Sequence, residues 1–213
     1  MISELNHGLR SPLDLHAPDR PVEGGFLKDF IAKSTSQMAM AADAITEEQF
    51  IRICNLLTDP RRRIYILGGR ISDTIAKHLT FHLRLIRKDV YHLPADDEIW
   101  PDYLLRMRQG DILYLVDFRR YEARLDRLAN QALQIRQARV LLMTDKWISP
   151  IAKHAHEVMH VPIDSGTLWD TYSAALAVTE AIVTHIAEHD WDNTRARMET
   201  WETLRLTPRD DPT

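Results

Sequence analysis

The sequence is poor in cysteine and glycine, and it contains no long apolar run. Its single cysteine, Cys54, excludes a disulfide framework and a cysteine-based zinc cluster. Seven glycines and ten prolines in 213 residues exclude collagen-like and low-complexity chains. No uncharged apolar run approaches the roughly 20 residues that a membrane span needs, and residues 1–7 do not resemble a targeting peptide. We therefore expect a soluble, cytoplasmic protein that makes no membrane contact.

The chain also lacks an excess of positive charge. It carries 27 lysines and arginines against 31 acidic residues, for a formal net charge of −4. This balance argues against binding nucleic acid by bulk electrostatics, and we predict no DNA contact by this chain itself. Ten histidines are present, some of them four apart, but no H-E-x-x-H motif accompanies them. We therefore predict neither a metal site nor a cofactor.

The sequence divides into a tail, one domain and a short C-terminal end. Prolines and the pair Gly24-Gly25 interrupt residues 1–25, which we interpret as a disordered tail or a linker remnant. Two helices are expected over residues 26–58, the second capped by Thr46 with Gln49 three residues later. We expect a single domain over residues 26–206, these leading helices included, and a frayed end over residues 207–213.

Short apolar runs alternate with helical patterns after residue 62. The runs at 63–67, 89–93, 111–116, 139–143 and 157–161 are typical of buried strands. Helices are expected after Ser72, over 121–137 and from about Thr167, where Asp170 completes a capping pattern. This alternation predicts an α/β fold: a three-layer, doubly wound, five-stranded parallel sheet of flavodoxin-like order, with extra N-terminal helices.

Two loops are candidates for a ligand site, because open parallel sheets bind ligands beyond the carboxyl ends of their strands. The loop after the first strand is rich in glycine and leads into the helix at Ser72, whose free N–H groups favour an anion. The loop after the third strand contains Asp117, Arg119 and Arg120. Two arginines beside a helix N-terminus oppose the helix dipole, which we interpret as a sign of a bound anion. An ion pair at a subunit interface is the alternative for these charges.

Three motifs carry a resemblance to SIS (sugar isomerase) domains, above all to the effector domain of RpiR/MurR-type transcriptional regulators. They are Gly68-x-x-x-Ser72, the Gly110-Asp111 step before a strand, and Thr144-Asp145-x-x-x-Ser149-Pro150. The resemblance extends over about residues 26–188. Because of this resemblance, Thr144, Asp145 and Ser149 of the third motif are added to the predicted site. The alternative is that these three residues only shape a turn and cap the helix at Pro150. The predicted ligand-binding residues are Gly68, Gly69, Arg70, Ser72, Asp117, Arg119, Arg120, Thr144, Asp145 and Ser149.

This sequence departs from the family's second motif, S-x-S-G-x-T, which holds a sugar phosphate with hydroxyl groups. Asp117, Arg119, Arg120 and Glu122 stand at its serine, serine, glycine and threonine positions, and Arg70 replaces a glycine of the first motif. Charged side chains thus replace the hydroxyl groups that hold the phosphate in the family. Arginine binds phosphate and carboxylate groups bidentately, so we still expect an anionic ligand.

The resemblance implies a non-enzymatic, effector-sensing domain that binds a small anionic metabolite, either a sugar phosphate or a sugar acid. We expect a homodimer built by the leading helices and the helix from Thr167, because their apolar stripes exceed what one sheet can cover. One alternative is an aldose–ketose phosphate isomerase in which Glu180 or His78 moves a proton. The other is a dimerisation module whose pocket has no function. Whether the chain is a fragment of a regulator or a stand-alone relative stays open at this point.

Overall fold

The computed structural model describes residues 24–204. It contains five strands that form one parallel sheet in the order β2-β1-β3-β4-β5. Residues 1–23 of the tail predicted over 1–25, and the whole of the frayed end predicted over 207–213, lie outside the described residues. The strands are β1 (Ile64–Gly68), β2 (Val90–His92), β3 (Ile112–Val116), β4 (Arg139–Thr144) and β5 (Glu157–His160).

Helices cover both faces of the sheet, so that the predicted three-layer α/β architecture is confirmed. The helices are α1 (Phe26–Ala44), α2 (Glu47–Thr58), α3 (Asp73–Ile86), α4 (Trp100–Arg106), α5 (Ala123–Arg136), α6 (Ser173–His189) and α7 (Trp191–Thr203). Short 3-10 helices occupy Asp97–Ile99 and Pro150–His154. None of the helices between residues 24 and 204 is long and apolar enough to cross a bilayer.

Two apolar cores lie on opposite sides of the sheet. Alternate strand residues such as Ile66 and Tyr114 pack against α2, α3 and α6, and α1 adds Ala41 to this core. The intervening residues, such as Leu67 and Leu115, pack against α4 and α5. Burial of both strand faces explains why the strands are continuous apolar runs rather than alternating ones. The extra N-terminal helices therefore thicken one layer of the fold.

Local capping signals were correct at one helix and wrong at two. Thr46 caps α2 through a 3.2 Å bond from the Gln49 N–H, as predicted. The helix expected from Thr167 begins only at Ser173, since Asp170 bonds to a distant arginine instead of capping. Ser72 precedes α3, but its side chain does not cap that helix. The helix expected at 121 begins at Ala123, so that Arg119 and Arg120 lie in a loop before its first turn.

Candidate ligand-binding site

A cavity of about 290 Å³ opens where the strand order reverses. The loops that follow β1 and β3 diverge here, because β1 and β3 are neighbours whose connections leave in opposite directions. This is the place at which open α/β sheets bind ligands. The cavity is lined by Gly69, Arg70, Ile71, Ser72, Asp117, Phe118, Arg119, Arg120, Glu122 and Tyr172.

Ser72 joins the loop after β1 to the end of β3. Its buried hydroxyl donates to the Val116 carbonyl at 2.7 Å and accepts the Gly69 N–H at 2.9 Å. Gly68 is needed at the preceding turn, since a Cβ there would lie 2.5 Å from the backbone of Asp73. The glycines therefore allow the first loop to fold tightly over the strand ends, and Ser72 fixes it in place.

Carboxylates of the protein accept the N–H groups that this loop presents. The Gly68 N–H donates to Asp73 Oδ1 at 3.0 Å, and the Arg70 N–H donates to Glu122. Asp73 is itself held by His92 Nε2 at 2.8 Å and by Lys77 at 3.0 Å. The sequence led us to expect open anion-binding amides here, but at least these two are satisfied internally.

Two carboxyl groups form the floor of the cavity. A Cβ built on Gly69 would lie 3.1 Å from Glu122 Oε1 and 3.6 Å from Asp117 Oδ1, which places both groups beside that glycine. Asp117 is only 2% exposed. Burial, helped by the charges of Glu122 and Asp145, raises the pKa of Asp117 to about 7, although a hydrogen bond from Ser149 opposes the shift. The floor therefore offers the Glu122 side chain, which is paired with Arg124, and the Asp117 carboxyl group, whose pKa lies near neutrality.

Arg70 and Arg120 form the rim. Both residues are exposed, and within residues 24–204 neither guanidinium makes an ion pair or a hydrogen bond. Arg120 adopts a left-handed backbone conformation with φ of 60°. A side chain at such a φ is less favourable than glycine, so this arginine is retained at a cost to local stability.

Arg119 differs from its neighbour, because its charge is already paired within the chain. Its side chain is 4% exposed and forms a fork to Asp170, with Nε donating to Oδ2 at 2.8 Å and Nη2 donating to Oδ1. The guanidinium also lies 4.8 Å from the centre of the Trp147 ring. Arg119 therefore ties the loop after β5 to the cavity, and Tyr172, which lines the cavity, follows shortly after that anchor.

The third motif lies behind the cavity and does not line it. Thr144 donates from Oγ1 to the Asp117 carbonyl at 2.8 Å and accepts the Ser149 N–H at 3.1 Å. Ser149 donates to the Asp117 carboxyl group and accepts the Ile151 N–H at 3.2 Å, which caps the short 3-10 helix. This geometry corresponds to the turn-and-cap alternative, and these residues position Asp117.

Asp145 supports the second loop from the same buried side. Its Oδ1 accepts the Tyr121 hydroxyl at 2.7 Å and the Trp147 N–H at 2.9 Å, and its Oδ2 accepts the Arg119 N–H. Burial raises the pKa of Asp145, while these hydrogen bonds favour its ionised form. Asp145 therefore holds the backbone at Arg119 rather than facing the cavity.

The prediction omitted four residues that line the cavity, namely Ile71, Phe118, Glu122 and Tyr172. Glu122 could have been included, because it occupies the threonine position of the second motif. Tyr172 could not, since tertiary contacts bring its segment to the cavity, among them the Arg119–Asp170 pair and the Phe118–Tyr172 ring contact at 5.0 Å. The proposed isomerase bases, His78 and Glu180, lie 3.8 Å apart on α3 and α6 and do not line the cavity. No group of three metal-ligating side chains occurs within residues 24–204.

Solved structures of regulators and of enzymes share this fold. The sugar isomerase domain of an RpiR transcription factor from Sphaerobacter thermophilus superposes with a TM-score of 0.77 at 15% identity, covering 85% of this chain and 100% of that one. The Vibrio vulnificus NanR protein complexed with ManNAc-6P gives 0.70 at 17% identity, with 86% and 71% covered. A phosphoheptose isomerase from Francisella tularensis gives 0.63 at 14% identity, with 76% and 96% covered.

These identities establish the shared fold and do not separate a regulator from an enzyme. No curated protein matches the sequence. The family model for the SIS domain matches residues 56–185, more than half of the chain, and includes every strand and the loops that line the cavity. This chain therefore belongs to the SIS domain family.

Proposed function

We propose that this protein is an effector-sensing SIS domain, of the kind found in RpiR-type regulators, that binds a small anionic metabolite without turning it over. The observation that carries the proposal is the cavity between β1 and β3, whose rim bears the two unpaired guanidinium groups of Arg70 and Arg120. The residues expected to touch the ligand are Gly69, Arg70, Ser72, Asp117, Arg120 and Glu122. Thr144, Asp145 and Ser149 support them from behind.

The charges around the cavity favour an anion on balance. Arg119 is neutralised by Asp170, and Glu122 is paired with Arg124. Asp117 is partly protonated near neutral pH because its pKa is raised to about 7. Arg70 and Arg120 then remain as uncompensated positive charge at the mouth of the cavity. Because arginine forks bind carboxylate and phosphate groups, the rim suits an anionic group on the ligand.

The backbone at Arg120 supports the same proposal. At φ of 60°, glycine would have a lower conformational energy than any residue with a side chain, yet the sequence has an arginine at this position. Strained conformations of this kind concentrate at functional sites, where the side chain is needed for a task other than folding. Ligand binding by the Arg120 guanidinium supplies such a task.

A ligand screen with rim variants tests the proposal. Sugar acids, sugar phosphates and other small anions are added to the protein, and the melting temperature is recorded, with calorimetry for each hit. A ligand at 100 times its Kd adds about 2.7 kcal/mol to the free energy of unfolding. The double variant Arg70→Gln/Arg120→Gln should lose this response. Arg108→Gln is the matched control, because Arg108 is exposed and precedes β3 at the opposite end of the sheet. If no anion in the screen stabilises the protein, the proposed function is contradicted and a dimerisation module without a functional pocket is favoured.

An isomerase is the second candidate, favoured by one observation. Asp117 combines a place in the cavity with a pKa raised to about 7, which suits a general base. We nevertheless expect no turnover, since His78 and Glu180 do not line the cavity to act as a second proton carrier. Aldose and ketose phosphates are incubated with the wild type and with Asp117→Asn. Interconversion that this variant abolishes would make the protein an enzyme.

We also propose that the domain functions as a homodimer through α1 and α6. Helix α1 exposes Phe26, Leu27, Ile31, Met38 and Met40, and residues of α1, α2 and α6 line an apolar groove of about 390 Å³. An exposed apolar surface of this extent is typical of protein–protein contacts. Light scattering should give twice the monomer mass at micromolar concentration, and Ile31→Glu should reduce it. A monomeric wild type would contradict the proposal.

A further inference from the structure

We propose that an anion entering the cavity binds together with a proton on Asp117. The affinity of the domain for its ligand then falls as the pH rises through neutrality. This inference rests on the proposed function, because it names how binding at that same cavity is regulated. It follows from three observations, namely the partners of Asp117, its burial and its distance from any charge in the cavity.

The other carboxylates around the cavity have cations or several hydrogen-bond donors as partners. Asp145 accepts three hydrogen bonds, from one hydroxyl group and from two backbone N–H groups. Each of these acids therefore has internal partners that favour its negative charge. The acids that are paired with a cation are Asp73 with Lys77, Glu122 with Arg124, and Asp170 with Arg119.

Asp117 differs from these acids because no cation is paired with it among residues 24–204. Its carboxyl group accepts a hydrogen bond from the Ser149 hydroxyl at 2.5 Å and a longer one from the Glu122 N–H at 3.4 Å. Burial raises the pKa of Asp117 to about 7, and the charges of Glu122 and Asp145 act in the same direction. Asp117 is therefore about half protonated near neutral pH, where a further charge in the cavity shifts its protonation most readily.

Any anion in the cavity lies close enough to Asp117 to change its protonation. Asp117 Oδ1 lies beside Gly69, and both residues line the cavity. A sphere with the cavity's volume of about 290 Å³ is only about 8 Å across, and the Coulomb energy falls only with the inverse of distance. A bound anion therefore disfavours the ionised form of Asp117 even when its charge lies at the rim. By linkage, the protonated form of the domain binds the anion more tightly.

Other groups around the cavity do not produce the same effect. His92 Nε2 lies 2.8 Å from Asp73 Oδ1, so that a proton on this histidine is balanced by the carboxylate beside it, and His92 does not line the cavity. Arginine and tyrosine side chains do not titrate near neutral pH, and burial raises the pKa of both nearby tyrosines further. These remaining groups are Arg70, Arg119, Arg120, Tyr121 and Tyr172.

Sulfate is a suitable probe, because it stays a dianion throughout this pH range and its own charge does not change. Calorimetry at constant ionic strength gives its Kd, with Arg70→Gln/Arg120→Gln as the background for sulfate that does not bind at the rim. We expect the Kd of the wild type to rise about fivefold or more between about pH 6 and about pH 8.5. Titrations near neutral pH in buffers of different ionisation enthalpy should also show that sulfate binding takes up part of a proton.

Two variants identify the group that takes up the proton. Asp117→Asn should bind sulfate equally at both pH values, since its amide is neutral and can still accept the hydrogen bond from Ser149. His92→Gln is the matched control and should keep the pH dependence of the wild type.

The outcomes separate this inference from the proposed function. A wild-type Kd that does not change with pH, or an Asp117→Asn variant that keeps the change, would overturn the inference while the proposed function stands. Sulfate that binds no better to the wild type than to Arg70→Gln/Arg120→Gln at either pH would contradict the arginine rim as an anion site, on which the proposed function rests.

Discussion

Arg119 and Arg120 are adjacent in the sequence, yet they belong to two regions of the site with opposite properties. Arg119 is part of a buried framework that also contains Asp145 and Asp170. Its guanidinium is paired with Asp170, and its backbone N–H donates to Asp145. Arg120 is part of an open rim whose guanidinium groups have no ion-pair partner among the described residues. The framework holds the loops after β3 and β5 in position, whereas the rim guanidinium groups are available to a ligand. The comparison indicates that charge identity alone does not reveal function; what matters is whether the fold has already neutralised the charge.

Asp117 lies between the two regions, and we expect it to have the largest effect on stability. Burial raises its pKa from 3.8 to about 7, so the folded protein prefers the protonated form more than the unfolded chain does. The free energy of unfolding should therefore fall as the pH rises from about 4 to about 7, by a total on the order of 4 kcal/mol. Asp117→Asn should be more stable than the wild type at pH 8 and similar to it at pH 4.

Urea unfolding of both proteins at several pH values measures this effect. The difference between the two curves isolates Asp117 from Asp145 and the other acids, which titrate in both proteins. Curves that stay parallel from pH 4 to pH 8 would contradict a raised pKa at Asp117. Asp126→Asn is a suitable control, since Asp126 is an acid in α5 that does not line the cavity.

Arg119 should give the next largest effect, because its loss leaves Asp170 without its partner. We expect Arg119→Ala to cost roughly 3 kcal/mol of stability, the lower end of the range for breaking a buried pair, because the Asp170 side chain is 21% exposed. A double-mutant cycle with Asp170→Ala measures the coupling between the two side chains. Arg195→Ala is the matched control, since its partner Glu199 is 63% exposed and that pair should contribute under about 1 kcal/mol. Equal losses of stability in the two arginine variants would contradict a framework role for Arg119.

Local patterns predicted the sheet closely. All five strands were placed within two residues of their observed bounds, because each is an apolar run between turn residues and is buried on both faces. The order of the strands and the two ligand loops followed from the family resemblance and from the rule for switch points. These features depend on short stretches of sequence, which is why the sequence alone could specify them.

The partners of charged residues were not predictable, since they come from distant parts of the chain. Asp170 was expected to complete a capping pattern that begins at Thr167, but it accepts hydrogen bonds from Arg119, which lies 51 positions away. Ser72 looked like a cap of α3, but its hydroxyl bonds to Val116, which lies 44 positions away. In both cases a local rule competed with a tertiary hydrogen bond at a strand end, and the tertiary bond prevailed. Both predicted loops therefore line one cavity, while the residues of the third motif lie behind it.

Arg120→Gly should have the smallest effect on stability, and it separates folding from function most sharply. Glycine relieves the strain of a side chain at φ of 60°, at about 1 kcal/mol, but it also makes the unfolded chain more flexible. The two terms oppose each other, so the melting temperature should stay equal or rise slightly. The same change removes one of the two rim guanidinium groups, so that the affinity for an anion found in the ligand screen should fall about tenfold or more. Arg120→Lys keeps the charge without the planar fork and should recover part of the binding. If Arg120→Gly destabilised the protein as much as Arg119→Ala does, Arg120 would belong to the framework and the rim would reduce to Arg70.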